Sequence, residues 1–159
     1  MKLFFVTALT LLGTLCYSQD GKIFKGSYNV NKSKSRMGIA PDYVMPVAYD
    51  IKPEKGYIAI LRKMVNEDGS KKDITEDMKF DGSPYKREVA SGNASSSLTW
   101  INDSSFKVEK EWTDKEGKVR MKSTETWTTE DGGKTLKVNY DVEQADGNNY
   151  SIVGVFEKN

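Results

Sequence analysis

Side chains able to do chemistry are unevenly supplied in this 159-residue sequence. There is no histidine, which removes Ser-His and Cys-His nucleophilic schemes and every imidazole metal site. Carboxylates are plentiful. Glu67, Asp68, Asp81, Asp114, Asp131 and Asp146 fall in turns, and Glu109 and Glu111 take outward strand positions. A glycosidase needs two carboxylates facing each other across a cleft, whereas acids at turns and on outer faces are solvated charge. Glu67-Asp68-Gly69 and Asp146-Gly147 look like pieces of calcium loops. A complete loop needs acids or amides at alternate early positions and a closing glutamate. Around Gly69 the opening position would be Met64 and the closing one Thr75. Around Gly147 the opening position would be Val142. Both fail, and Asp-Gly serves instead as a hairpin turn that accepts positive φ. The sequence therefore assigns no catalytic residue, no metal ligand and no cofactor, and the expectation is a protein that is not an enzyme.

What remains is aromatic. Tyr28, Trp100, Trp112, Trp127, Tyr140 and Phe156 each fall on the more apolar side of a predicted strand. In a narrow barrel they would interlock as core. In a wider one they would line a cavity, with Trp and Tyr offering an N–H or O–H to a ligand. These six are the candidate ligand-lining residues.

Such residues converge only if the strands that carry them do. The clearest stretch is 105–142, which reads as three antiparallel strands. Phe106, Val108 and Trp112 alternate with Lys107, Glu109 and Glu111. A turn at 114–117 follows. Val119, Met121 and Trp127 then alternate with Arg120, Lys122, Thr124, Thr126 and Thr128. After Asp131-Gly132-Gly133, the residues Leu136, Val138, Tyr140 and Val142 repeat the pattern. Period-two alternation cut by glycine turns is the signature of hairpins. Earlier strands are predicted at 24–31, 47–52 (ended by Pro53), 57–66, 71–80 and 94–101, with 84–86 a short strand at most and 149–157 the last. The segment 31–46 is irregular, and 57–61 is apolar on both faces. No amphipathic helix of convincing length appears. The expected fold class is all-β: an antiparallel up-and-down meander of roughly eight to ten strands closing into a small or flattened barrel, since closure removes exposed edges.

Residues 1–18 read as a signal peptide. Lys2 precedes an apolar run at 3–15 that is too short to span a bilayer, and small residues flank a cleavage point before Gln19. Cys16 follows Leu15, where an acylation site wants a small residue, so lipid anchoring at Cys16 is not expected. The mature chain, 19–159, is then a single domain without cysteine. Loss of Lys2 brings the basic count of 24 level with the acidic count of 23. No basic block suggests nucleic acid, and no membrane span is predicted.

The spacing of several motifs resembles small secreted bacterial lipocalin-like proteins of the calycin type. Gly26-x-Tyr28-x-Val30-Asn31-x-x-Lys34-Ser35 is similar to their opening motif, and Phe80-Asp81-Gly82-x-x-Tyr85 to a mid-chain one. Asp131-Gly132-Gly133-Lys134-Thr135-Leu136 and Val155-Phe156-Glu157-Lys158 are similar to their late turn and ending. Tyr28 stands where lipocalins usually carry Trp, and the last strand has no Arg to pack over it. The chain is less similar to fatty-acid-binding proteins, because the helix pair between their first two strands is missing. The resemblance implies a periplasmic or secreted barrel that binds a small, partly apolar ligand. The other expectation is a non-catalytic interaction or structural domain of the cell envelope with a protein partner, resting on the doubly apolar 57–61.

Overall fold

The computed structural model describes residues 20–159; the expected leader at 1–18, with Cys16, lies outside them. Ten strands follow one another: β1 (Gly26–Val30), β2 (Ala48–Glu54), β3 (Tyr57–Val65), β4 (Lys71–Lys79), β5 (Tyr85–Val89), β6 (Gly92–Asn102), β7 (Ser105–Asp114), β8 (Val119–Glu130), β9 (Thr135–Gln144) and β10 (Tyr150–Lys158). Each pairs antiparallel with its sequence neighbour except at one place, between β4 and β5. β1 also pairs with β10, which joins the first and last strands in one sheet, and β4 and β5 stand at the two ends of the strand order without a ladder between them. The result is a nearly closed up-and-down barrel, as the alternation predicts.

The pleat decides which side chains enter. Along β8, Ser123, Glu125, Trp127 and Thr129 are buried while Lys122 and Glu130 are exposed. Ladder register then stacks inward residues in layers. Trp100, Phe106, Trp127 and Val138 are direct neighbours in one layer. Leu98, Val108, Glu125, Tyr140 and Ile152 form the next, and Ser96, Lys110, Ser123, Val142 and Tyr150 the one beyond.

One end of the barrel is solid. A short 3-10 turn, Lys22–Phe24, inserts Phe24 as a plug. Its ring centroid lies 4.7 Å from Phe106 and 6.0 Å from Trp100, and Phe106 stacks on Trp127 at 5.4 Å. The β8–β9 turn holds this plug in place. Asp131, Gly132 and Gly133 all take positive φ, and a side chain at Gly133 would strike the carbonyl of Ile23. The Tyr28 hydroxyl donates to the Gly133 carbonyl at 2.9 Å.

Details depart from expectation for local reasons. β2 continues through Pro53, because β1 pairs with it only as far as Ile51, so Pro53 lacks a neighbour on that side and needs no N–H there. β5 is a full strand rather than a three-residue fragment. In 57–61, Ile58 and Ile60 enter the core, while Tyr57, Ala59 and Leu61 are half-buried outside. Tyr28 is covered by Lys158, whose Nζ lies 5.7 Å from the ring centroid. The lysine stem passes over Gly26, where any Cβ would collide with it. Glycine at 26 is thus the condition for that cover.

Phe24→Ala should cost about 3–5 kcal/mol in urea unfolding, as deletion of a buried ring does. Ile39→Ala, at a position 86% exposed, should change stability by less than about 0.5 kcal/mol.

Candidate ligand site

The opposite half of the barrel is built from charge. β3 carries Arg62 inward, β4 Glu76, β7 Lys110 and β8 Glu125, and all four are buried. Arg62 donates from Nε to Glu76 at 2.6 Å, from one terminal nitrogen to Glu125 at 2.7 Å, and from the other to the Tyr49 hydroxyl at 3.1 Å. Lys110 Nζ donates to both Glu76 oxygens, at 2.8 and 2.6 Å, and lies 3.4 Å from Glu125. Ser96 donates to Glu76 at 3.2 Å, and Trp127 Nε1 to Glu125 at 2.9 Å. The Tyr49 and Tyr140 hydroxyls share a hydrogen bond of 2.5 Å. Arg62 lies over the rings of Trp127 and Tyr49, at 5.1 and 5.5 Å. Two cations thus meet two carboxylates, and each nitrogen of Arg62 has a partner.

Burial pushes the Glu76 carboxyl up, but Arg62 and Lys110 outweigh it and hold Glu76 well below the usual carboxylate range. Burial opposes the charge of Arg62 too, and Glu125, Tyr49 and Glu76 overcome it. Burial, followed by the nearby Arg62, brings the Lys110 ammonium below its ordinary value despite Glu125 and Glu76. Burial raises both the Tyr49 and Tyr140 phenols, so they stay protonated donors.

Above this network lies a cavity of about 230 Å³. Its floor is Arg62, Glu76, Lys110, Ser123, Glu125 and Tyr140, and its walls include Met64, Ile74, Trp112, Met121, Val142 and Tyr150. Val44 and Pro46, from the irregular segment between β1 and β2, close part of the top. A larger hollow of about 480 Å³ lies on the other side of that segment, against Val30, Met37, Tyr43, Met45 and Val65. It lacks convergent buried polar groups. The inner cavity has them, together with aromatic walls, and that combination makes it the candidate ligand site.

Of the six aromatic candidates, Trp112 and Tyr140 stand on the cavity wall. Tyr28, Trp127 and Phe156 are fully buried in the packed half, and Trp100 is half-buried against Phe80 and Phe106. The network itself is what the sequence analysis missed. Its signal is parity: Arg62 follows Ile58 and Ile60 at intervals of two, Glu76 lies between Ile74 and Met78, Lys110 between Val108 and Trp112, and Glu125 two before Trp127. Asn31 closes a turn, accepting from Ser33 Oγ and the Lys34 amide through its side chain. Lys34 reaches Glu157 at 2.7 Å. Among the described residues, no group of three or more acids is placed to hold a metal ion, and no helix is long and apolar enough to cross a membrane.

Superposition on solved structures identifies the fold. Over 86% of this chain and 99% of the other, the protein is similar to the zebrafish ileal bile acid-binding protein solved with cholic acid, with a TM-score of 0.54 at 12% identity. The chain has the calycin barrel fold. In this chain β1 and β2 are joined by a strap with one short 3-10 turn, Asp42–Val44. More distant matches are a redesigned β-barrel bound to DFHBI (TM-score 0.42, 13% identity, 89% of this chain and 100% of that one) and a Bacteroides fragilis protein described as an outer membrane protein (0.36, 12%, 89% and 53%). No protein-family model and no curated protein sequence matches the chain.

Arg62→Met should cost about 3–5 kcal/mol, because it leaves two buried carboxylates short of a partner. Acid should act through Glu76. Its folded pKa lies below the ordinary 4.5, so the unfolded chain takes the proton first. Its contribution is whole above about pH 4.5 and is lost as pH falls toward the depressed folded value, by at most about 1.4 kcal/mol per pH unit. Urea midpoints at pH 3 to 6 should fall less steeply in Glu76→Gln than in the parent.

Proposed function

We propose that this protein is a binding barrel that holds a small, partly apolar ligand in the cavity above the Arg62–Glu76–Lys110–Glu125 network. The observation that carries the reading is the cavity itself: aromatic and methionine walls over a floor of convergent polar groups, in a fold shared with a structure described as a bile acid-binding protein. Its volume falls under the range of about 300–1,000 Å³ common for drug-sized molecules, so the ligand is smaller. The floor supports binding over catalysis. Glu76 is held ionised and bonded to two cations, which suits it poorly to donate a proton. The same proposal sets the protein in the periplasm or outside the cell, with residues 1–18 removed as a leader.

A screen of small aromatic and aliphatic compounds should find ligands that alter tryptophan emission and raise the melting temperature, since a ligand held only by the folded state stabilises it. Trp112→Phe should abolish most of the emission change while binding persists by calorimetry, because Trp112 alone of the three tryptophans lines the cavity. A screen without hits would end the reading. N-terminal sequencing of the exported protein should begin at Gln19, and an N-terminus at Met1 or a lipid on Cys16 would overturn the assignment of compartment.

A further inference from the structure

One group on the cavity floor is left over. Ser123 is 7% exposed and lines the cavity, and its hydroxyl has no hydrogen-bond partner among the described residues. Its ladder neighbours explain why. On one side stands Lys110, whose ammonium is committed to Glu76 and Glu125. On the other stands Val142, which has nothing to offer. A buried hydroxyl without a partner is costly, and a molecule occupying the cavity can supply one.

The charge of that molecule follows from the same floor. Arg62 and Lys110 are matched by Glu76 and Glu125, so the floor already carries its own carboxylates. A ligand carboxylate at Ser123 would have to approach two ionised glutamates without gaining a free cation. Like charges that close in a dry site repel strongly. Arg87 is the one other cavity-lining cation, and it has no ion pair among the described residues. It also borders a depression on the outer surface, and it lies in register with Ala94 and, through it, Trp112, one layer away from Ser123. The cation in direct ladder register with Ser123 is Lys110, already paired with Glu76 and Glu125, and not Arg87.

We propose that Ser123 anchors the polar head of an uncharged small amphiphile, an alcohol, phenol or amide, whose apolar body lies between Trp112, Met121 and Val142. The inference rests on the binding reading above and specifies its ligand class. The cavity volume, equal to roughly eight liquid waters at about 30 Å³ each, limits the ligand to a compact molecule. If a water satisfies Ser123 in the free protein, the head group must reproduce its hydrogen bond, and a hydroxyl does so.

Three probes of matched body separate the terms: naphthalene, 2-naphthol and 2-naphthoate, titrated by calorimetry at pH 7. 2-Naphthol should bind about threefold to tenfold more tightly than naphthalene, the worth of one neutral hydrogen bond. 2-Naphthoate should bind at least about tenfold more weakly than 2-naphthol. Ser123→Ala should erase the advantage of 2-naphthol over naphthalene and leave naphthalene affinity unchanged. Its melting temperature should be no lower than the parent's, since no protein partner loses a bond. Tighter binding of 2-naphthoate than of 2-naphthol, or a naphthol advantage that survives Ser123→Ala, would overturn the proposal while leaving the barrel a binding protein. Failure of all three probes to bind would overturn both.

Discussion

Four charged side chains in a water-poor interior impose the strictest condition in this molecule. Any one of them alone would be strongly destabilising, since a buried unpaired charge costs several kcal/mol. They are tolerable only together, and they come from β3, β4, β7 and β8. Those strands lie on both sides of the place where β4 and β5 fail to ladder. Glu76 sits on one bank, and Ser96 and Lys110 on the other. Side-chain charge therefore joins two sheet edges that the backbone leaves apart. Among the described residues the Tyr85 hydroxyl also donates across the gap to the Thr75 carbonyl, in a long hydrogen bond of 3.4 Å. Register in four strands must be correct at once for the network to form, and a slip of one residue would turn a charge outward and bring a solvated neighbour in.

The network also divides the barrel. On one side of it the interior is aromatic and full, plugged by Phe24 and locked by the β8–β9 turn. On the other it is partly empty, walled by Trp112, Met121 and Met64. Filled barrels and hollow barrels are usually set by strand number. Here one chain contains both, and the boundary is the layer where polar side chains replace aromatic ones. Met64 and Met121 suit the hollow half, because an unbranched thioether adapts to irregular space.

Much of the fold was legible in the sequence. Alternation between Phe106 and Val142 and the glycine turns at 117 and 132–133 specify the meander, and those cues are local. Pro53 and the short β5 misled because edge tolerance depends on which strand lies alongside, and that is a tertiary fact. The site was half legible. Trp112 and Tyr140 reach the cavity wall, but Tyr28, Trp127 and Phe156 share the same inward parity and end in the solid half. Parity tells which face a residue takes and not how far along the barrel it stands. The charged network was overlooked for a related reason. Charged residues at inward positions look like interruptions of a pattern until their partners, 14 and 63 positions away in the case of Arg62, are seen to coincide.

The unlaced seam has a consequence for how copies of this protein meet. Bare strand edges recruit strands from other molecules and are a common origin of fibres. β4 presents Lys71, Lys72, Asp73, Asp77 and Lys79 to solvent, and β5 presents Lys86 and Glu88. A flat incoming strand would have to bury part of that row of mixed charge, so the molecule resists edge-to-edge aggregation at the one place where its ring is left open.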